Sequence, residues 1–400
     1  MPIKKYLQLL ILMSLSCQLY AQDPSMLAQI RREGLLHSQA KELLHTLTDV
    51  YGQRLTGSRE YLAAAKWTMA KMKEIGLENV HFENFCKDCR GWSIKGFNVE
   101  MVAPNFMHIM AYPLAMTKST PGIVEGDVVN IDGFGDMKSI REKFAGKLKG
   151  KIILLGKEPR LRPLTEPILK RYTSEELAAM EQKLTPKVKP TALPEELESW
   201  KTSDHMDKDF LAFAEEEGAL AVLKSQSQIL GILGVGGTYN YLASDPTPLP
   251  YFSIMPEHFG RLLRMLEDKV TPRIRLNLET ELYTEPDNNV NIIGEIPGTD
   301  PQLAAQTVLV GGHFDSWHSG TGATDNGVSC TELIEALRIL KQTHIAPRRT
   351  IRIGLWGGEE QAFIGSVAYA IQHYGPLREA PNADSKKVTA YLNLDNGAGA

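Results

Sequence analysis

The sequence predicts an α/β protein in which a mostly parallel, mixed sheet carries helices on both faces and is interrupted by an inserted β-rich module. In the last third of the chain, apolar strand patterns alternate with helical patterns, as in sheets covered on both sides. Between residues 119 and 285 this alternation gives way to short β segments and Gly-rich turns, and it resumes afterwards. The module therefore divides the α/β domain into residues 24–118 and 286–400.

Length and composition limit the classes of protein to which the chain could belong. A chain of 400 residues exceeds one ordinary core, and at roughly 150 residues per domain it predicts about two or more domains. Apolar residues make up 43% and charged residues 23%, which is a globular composition. The formal net charge of −4 provides no electrostatic reason to bind a polyanion. We expect no nucleic-acid partner.

The N-terminus has the three-part pattern of a secretory signal peptide. Two lysines precede an apolar run, which ends before Ala21. We expect residues 1–21 to be cleaved near Ala21 and the protein to be secreted or periplasmic. Lipid attachment at Cys17 is the weaker alternative, because Ser14 stands where an aliphatic residue is expected. The run is shorter than the about 20 residues that span a membrane, and we predict no transmembrane segment.

Apolar periodicity and Gly or Pro punctuation predict the individual elements. Helices are predicted over 27–49 and 60–76, followed by strands over 78–85 and 94–102. The other predicted strands are Ile123–Val129, Lys151–Leu155, Ala219–Leu223, 272–282, Thr307–Gly311, Thr350–Trp356 and Val388–Leu394, and the other predicted helices are 256–268, 327–343 and 361–373.

A single CxxC motif, formed by Cys86 and Cys89, lies after the first predicted strand. A structural zinc site would need a second such pair. In an exported chain we expect a local disulfide here, with a redox or metal role as the alternative.

Polar residues follow each strand of the last third, at the edge where ligands bind in open α/β sheets. His313 and Asp315 come directly after Thr307–Gly311 and share one side, because strand side chains alternate. Such a pair can be a metal ligand and the carboxylate that orients it. A lone His-x-Asp pair is more often a surface pair.

Four acidic residues complete this set. Asp325 lies in a Gly-rich loop before a helix, where it could cap the helix or bridge two metals. Glu359 and Glu360 follow two glycines after the next strand, so one could ligate a metal while the other faces its bound water. An acidic pair at a helix start is the alternative. Asp395 follows the last strand and by itself would indicate only a turn.

Together these residues predict a binuclear hydrolytic site. Imidazole and carboxylate ligands without thiolate suit Zn²⁺, with Co²⁺ or Mn²⁺ as substitutes. Two metals about 3.5–4 Å apart would share a bridging carboxylate and a water. The residues expected to converge are His313, Asp325, Glu359, Glu360 and Asp395.

The motifs resemble the zinc peptidase family M28, which includes bacterial leucyl aminopeptidases and the carboxypeptidase Q group. The resemblance is carried by Gly312–Trp317, Gly320–Gly327, Gly357–Glu360, Asn393–Asp395 and, near the N-terminus, Arg54–Ser58.

This resemblance implies a role for each residue. His313, Asp325 and Glu360 would hold one zinc ion, and Asp325 and Asp395 would reach a second. Glu359 would be the general base, and Asp315 would orient His313.

The resemblance also bears on the rest of the chain. Residues 119–285 resemble a protease-associated domain, most closely in Leu148–Leu154 and Gly218–Leu223. The family has one more histidine ligand downstream of the Asp395 position, whereas this sequence ends at Ala400. We therefore expect a C-terminally truncated chain.

The expected function is that of an exported, zinc-dependent exopeptidase that hydrolyses peptides or dipeptides. Aminopeptidase and carboxypeptidase specificity both stay open, as does the oligomeric state, with a homodimer among the alternatives. A non-catalytic binding protein on the same architecture is one rival function. A single-zinc acyltransferase similar to glutaminyl cyclases is the other.

Overall fold

The computed structural model describes residues 24–133, 137–161, 163, 165, 171–184, 207–227, 231–238, 240–376 and 380–395. The predicted signal peptide lies outside these residues, as does Cys17. No helix in the described ranges is both long enough and apolar enough to cross a membrane. The chain forms two compact units, one made of Met1–Lys87 with Glu285–Ala400 and the other of Asp88–Thr284.

The elements are numbered in chain order. The strands are β1 (Glu78–Asn84), β2 (Gly91–Ala103), β3 (Met107–His108), β4 (Ala111–Pro113), β5 (Val124–Ile131), β6 (Lys151–Leu155), β7 (Ala221–Lys224), β8 (Tyr251–Ile254), β9 (Arg273–Tyr283), β10 (Val290–Ile296), β11 (Thr307–His313), β12 (Thr350–Trp356) and β13 (Val388–Asn393). The helices are α1 (Pro24–Leu36), α2 (Ala40–His45), α3 (Arg59–Glu74), α4 (Met137–Phe144), α5 (Ser174–Leu184), α6 (207–216), α7 (Pro256–Glu267), α8 (Val328–Gln342) and α9 (Ile364–Tyr374).

The first unit contains a mixed sheet in the order β1-β10-β12-β11-β13. Strand β11 pairs in parallel with both β12 and β13, whereas β10 is antiparallel to β12 and to β1. The predicted mixed α/β class is confirmed. Parallel pairing is confined to the three strands that precede the polar motifs, so their carboxyl ends lie at one edge of the sheet.

Helices cover both faces of this sheet. On one face, Ile292 and Leu355 pack in a core with Tyr61 of α3 and Ile334 of α8, all at most 1% exposed. On the other face, Trp356 packs against Tyr369 of α9. Each fully buried apolar side chain contributes about 1.5–3 kcal/mol, and these two cores fix the sheet between its helices.

Helix α3 illustrates how local sequence starts an element. Ser58 is its N-cap and accepts a hydrogen bond from the backbone N–H of Tyr61 at 3.0 Å. The prediction of one helix over 27–49 is wrong, because α1 ends at Leu36 and α2 begins at Ala40. Between them, the backbone N–H of Gln39 donates to the carboxylate of Glu335 at 3.1 Å. That distant acid takes the donor that a continuous helix would have used internally.

The second unit contains a sheet in the order β3-β2-β9-β5-β6-β7-β8-β4, with parallel pairing from β5 to β8. The inserted module was predicted to start at residue 119, but this unit starts at Asp88. The reason is the antiparallel pairing of β2 along β9, from Gly91 opposite Tyr283 to Ala103 opposite Arg273. Local periodicity shows a strand over these residues but not its partner.

Three cysteines lie in the described residues. Cys86 and Cys89 are disulfide-bonded, which confirms the expected local disulfide. Cys330 of α8 is a buried free thiol, and its Sγ lies 3.0 Å from the carbonyl oxygen of His313. Helix α8 therefore packs directly behind the end of β11.

Candidate metal centre

Three of the four predicted ligands lie close together at the carboxyl ends of the parallel strands. His313 is the last residue of β11, Asp395 follows β13, and Asp325 precedes α8. Each of the three offers one ligand atom, and these atoms lie within 4.8 Å of one another. Asp325 and Asp395 keep 53% and 34% of their side chains exposed, so the cluster opens to solvent on the side of the acids.

His313 is the buried member of this cluster, with 3% of its surface exposed. Its Nε2 lies 2.8 Å from Asp325 Oδ1 and 3.5 Å from Asp395 Oδ1. Its Nδ1 lies 3.1 Å from the carbonyl oxygen of Asp315 and 3.5 Å from that residue's carboxylate. A proton on Nδ1 would donate to Asp315 and leave Nε2 as the ligand atom.

Asp315 is fully buried and connects two strand ends. Its carboxylate accepts hydrogen bonds from the Thr56 hydroxyl at 2.9 Å and from the backbone N–H groups of Glu359 and Glu360, each at 3.2 Å. It therefore holds the loop after β12 against the end of β11.

Glycines allow these loops to approach closely at two positions. Gly358 has φ +70° and Gly322 has φ +59°, a region that favours glycine. A Cβ on Gly322 would lie 2.6 Å from Ser316 Oγ and 2.9 Å from Arg54 Nη2. A larger residue there would clash with Ser316 and Arg54 and displace the loop that carries Asp325.

The charges of the centre shift the pKa values of its members. Burial and the nearby charges of Asp315 and Asp325 raise the pKa of Glu360 to about 8. Burial also raises the pKa of Glu359. Burial alone would lower the pKa of His313, but its hydrogen bond to Asp315 and the surrounding acids raise it to about 10. A bound cation would stabilise the ionised carboxylates and so lower these raised pKa values.

The predicted residues are not all equally close. Glu359 lies at the rim, with its Oε2 4.0 Å from His313 Nε2. Among the described residues, the group of close ligand atoms joins Asp395, and not Glu360, to His313 and Asp325. This grouping differs from the expected partition, in which Glu360 shared a metal with His313.

The donor set fits zinc. Catalytic zinc sites commonly have three nitrogen or oxygen ligands from the protein and an open position for water or substrate. One imidazole and two carboxylates, with the carboxylates partly exposed, match that chemistry.

Several residues that hydrogen-bond the loops of the centre belong to no recognisable sequence motif. Asn291 accepts a hydrogen bond from Gly357 N–H at 3.0 Å and donates to the carbonyl oxygen of Gly365 at 2.9 Å. Asn326 donates to the carbonyl oxygen of Leu394 at 3.0 Å. Single asparagines in a strand or loop give no local indication of such contacts.

Arg54 and Thr56 also contact the loops of the centre. The only signal for these two residues was the similarity of Arg54–Ser58 to the opening segment of the M28 family, and that similarity assigned them no role.

Comparisons with known proteins identify what the chain is similar to. Residues 291–399 match Peptidase family M28. Carboxypeptidase Q from Mus musculus is 25% identical over 365 residues, which are 91% of this chain and 66% of that protein. The chain thus spans slightly less than two thirds of that relative's length.

Two solved structures share the fold. A peptidase M28 precursor from Shewanella amazonensis SB2B has a TM-score of 0.60 and 22% identity, over 92% of this chain and 73% of that one. BSAP, a zinc aminopeptidase from Bacillus subtilis, has a TM-score of 0.52 and 18% identity, over 89% and 68%. The chain therefore has the mixed α/β fold of these peptidase structures.

Proposed function

We propose that this chain, which matches Peptidase family M28 over residues 291–399, is a zinc-dependent exopeptidase that hydrolyses peptides or dipeptides. The observation that carries the proposal is the convergence of His313 Nε2 with carboxylate oxygens of Asp325 and Asp395. Glu359, a partly buried acid, lies beside this group.

The ligands would be His313, Asp325 and Asp395, with Glu360 as a further carboxylate for a second ion. Bound zinc would polarise a substrate carbonyl and lower the pKa of a water, so that hydroxide is available as the nucleophile at neutral pH. Co²⁺ or Mn²⁺ would be substitutes, because they accept the same donor atoms.

Glu359 would act as the general base. Its carboxylate takes a proton from the attacking water and returns it to the leaving nitrogen. Burial raises its pKa, which moves a carboxylate toward the pH at which proton transfer is most efficient. The backbone N–H of Glu359 donates a hydrogen bond to Asp315, which holds the backbone of Glu359 in place.

Replacement of the base tests this assignment. We expect Glu359→Gln to lower kcat by about 10²–10⁴-fold and to leave zinc content nearly unchanged, as measured by dipeptide hydrolysis and elemental analysis. Glu74→Gln, an exposed acid on α3 paired with Lys71, is the matched control and should keep wild-type activity. Retained turnover in Glu359→Gln, or loss of its zinc, would contradict the role.

Blocked substrates would define the specificity. A dipeptide with a free amine and an amidated carboxyl end reports aminopeptidase activity, and an N-acetylated peptide with a free carboxylate reports carboxypeptidase activity. Zinc binding without turnover of either would favour the binding-protein alternative. Cyclisation of an N-terminal glutamine would favour the glutaminyl cyclase alternative.

We also propose that the protein is exported. The pattern of residues 1–21 and the Cys86–Cys89 disulfide, which is typical of an oxidising compartment, support this. Cell fractionation with N-terminal sequencing of the mature chain would test it. A cytoplasmic protein that starts at Met1 would refute export.

A further inference from the structure

Arg54 is a fully buried cation directly behind the candidate centre. Its Nε donates to the carbonyl oxygen of Phe314 at 2.8 Å. Its Nη1 and Nη2 donate, each at 2.9 Å, to the carbonyl oxygens of Thr321 and Gly322. Phe314 stands between His313 and Asp315, and Gly322 leads into the loop of Asp325. One guanidinium thus joins the two backbone segments that present these ligands.

Thr56, two residues later, joins a third segment. It is 4% exposed, and its hydroxyl donates to Asp315 Oδ2 and accepts from the backbone N–H of Gly358, both at 2.9 Å. The hydroxyl thereby uses both its donor and an acceptor site. It links the carboxylate beside His313 to the loop that carries Glu359 and Glu360.

We infer that Arg54 and Thr56 are positioning residues that set the spacing of the ligand loops before a metal binds. The inference rests on the proposed function. Both side chains bond backbone or carboxylate groups next to the ligands, so they act through those residues and are not themselves ligands. A buried guanidinium is expensive to desolvate unless its donors are bonded. Here one bond goes to the carbonyl oxygen of Gly52 at 3.0 Å and the other three go to the ligand loops.

The hydroxyl of Thr56 offers the sharper test, because Thr56→Val keeps the branched shape and removes both hydrogen bonds. Loss of contacts that orient metal ligands typically weakens metal affinity about 10–100-fold. We expect zinc affinity of the full chain, measured by chelator competition, to fall by that factor. We also expect kcat to fall while KM changes less than about twofold, because substrate groups are not touched.

Two matched variants separate positioning from loss of a buried hydroxyl. Thr56→Ser keeps the hydroxyl and should restore zinc affinity to within about threefold of wild type. Thr68→Val removes another fully buried hydroxyl of the same unit, one for which the described residues provide no hydrogen-bond partner, and it should leave zinc affinity unchanged.

The outcomes distinguish the inference from the function on which it rests. If wild type binds zinc and turns over while Thr56→Val does both equally well, the inference is overturned and the function stands. If wild type binds no zinc, both fall. Should Thr56→Val not fold, Arg54→Lys decides in its place. It keeps the charge but loses the guanidinium geometry, and unchanged zinc affinity in that variant would overturn the inference.

Discussion

The two sheets place their acidic side chains in opposite electrostatic settings. On β5, Glu125 lies 2.7 Å from Arg275, and Asp127 lies 3.0 Å from both Lys151 and Arg273. Hydrogen bonds from Arg275 and Lys151 lower the pKa of Glu125 and Asp127, respectively. At the carboxyl ends of the other sheet, Glu359 and Glu360 have raised pKa values.

The difference comes from position on the sheet and not from residue type. Along β5, Glu125 and Asp127 each meet a base on a neighbouring strand, and solvent screens such exposed pairs so that they add little stability. Where strands end, acids from successive loops meet each other and the buried His313. The acids of β5 are neutralised by neighbouring bases, whereas the acids at the strand ends are suited to bind a cation.

The largest expected effect separates two aspartates. Asp325→Asn should weaken zinc affinity by more than about 100-fold, because loss of a residue that only orients a ligand already costs about 10–100-fold. Asp127→Asn on β5, the matched control, should leave zinc affinity unchanged. Chelator competition on both variants measures this, and equal zinc affinity in the two would remove the distinction between the sheets.

Two arginines extend the contrast to stability. Arg54→Met leaves the carbonyl groups of Phe314, Thr321 and Gly322 without their buried donor. An unsatisfied buried polar group costs about 1–3 kcal/mol, so we expect a loss of about 3 kcal/mol or more in the free energy of unfolding. Arg273→Met, whose side chain is 44% exposed, should shift the urea midpoint little. A small effect of Arg54→Met would show that water or relaxation replaces its bonds.

The raised pKa values predict a pH dependence for the metal-free protein. Between the ordinary pKa of 4.5 and the folded value of about 8, Glu360 holds a proton that the unfolded chain has released. Rising pH therefore favours unfolding in this window. His313 acts in the same direction, because its contribution is complete below 6.5 and is lost as the pH rises through about 10.

We thus expect the melting temperature of chelator-treated protein to fall between about pH 5 and pH 8. Glu360 should lower the free energy of unfolding by less than about 1.4 kcal/mol per pH unit, because it is partly exposed. Glu360→Gln should flatten this dependence. Zinc affinity should rise over the same range, because the ligands must lose protons. A melting temperature that rises with pH in the chelator-treated protein would contradict these signs.

The smallest effect is expected from the exposed pairs. Glu125→Gln removes an acid whose pKa is lowered by Arg275 and Arg273, but solvent and salt screen such pairs. Its melting temperature should stay close to that of wild type, and closer still at high salt. A large fall in melting temperature would mean that the ion pairs of Glu125 with Arg273 and Arg275 stabilise this sheet more than their exposure suggests.

Much of this protein was predictable because its signals are local. Strands Lys151–Leu155 and Thr350–Trp356 have the predicted bounds, since apolar runs bounded by turns are written in consecutive residues. The meeting of His313, Asp325 and Asp395 was predictable because parallel strands end at one edge of a sheet.

Contacts between segments far apart in the chain had no signal in local sequence. Local sequence predicted the three strands that precede the polar motifs, the types of ligand and the sheet edge at which those ligands lie. Packing decided that β2 belongs to the second sheet, that the N-terminal helix is divided between Leu36 and Ala40, and that Asp395 rather than Glu360 joins His313. The hydrogen bond from Thr56 to Asp315 spans 259 positions. No local pattern specifies such a partner, because a hydroxyl or a guanidinium bonds whichever acceptor the packed fold brings to it.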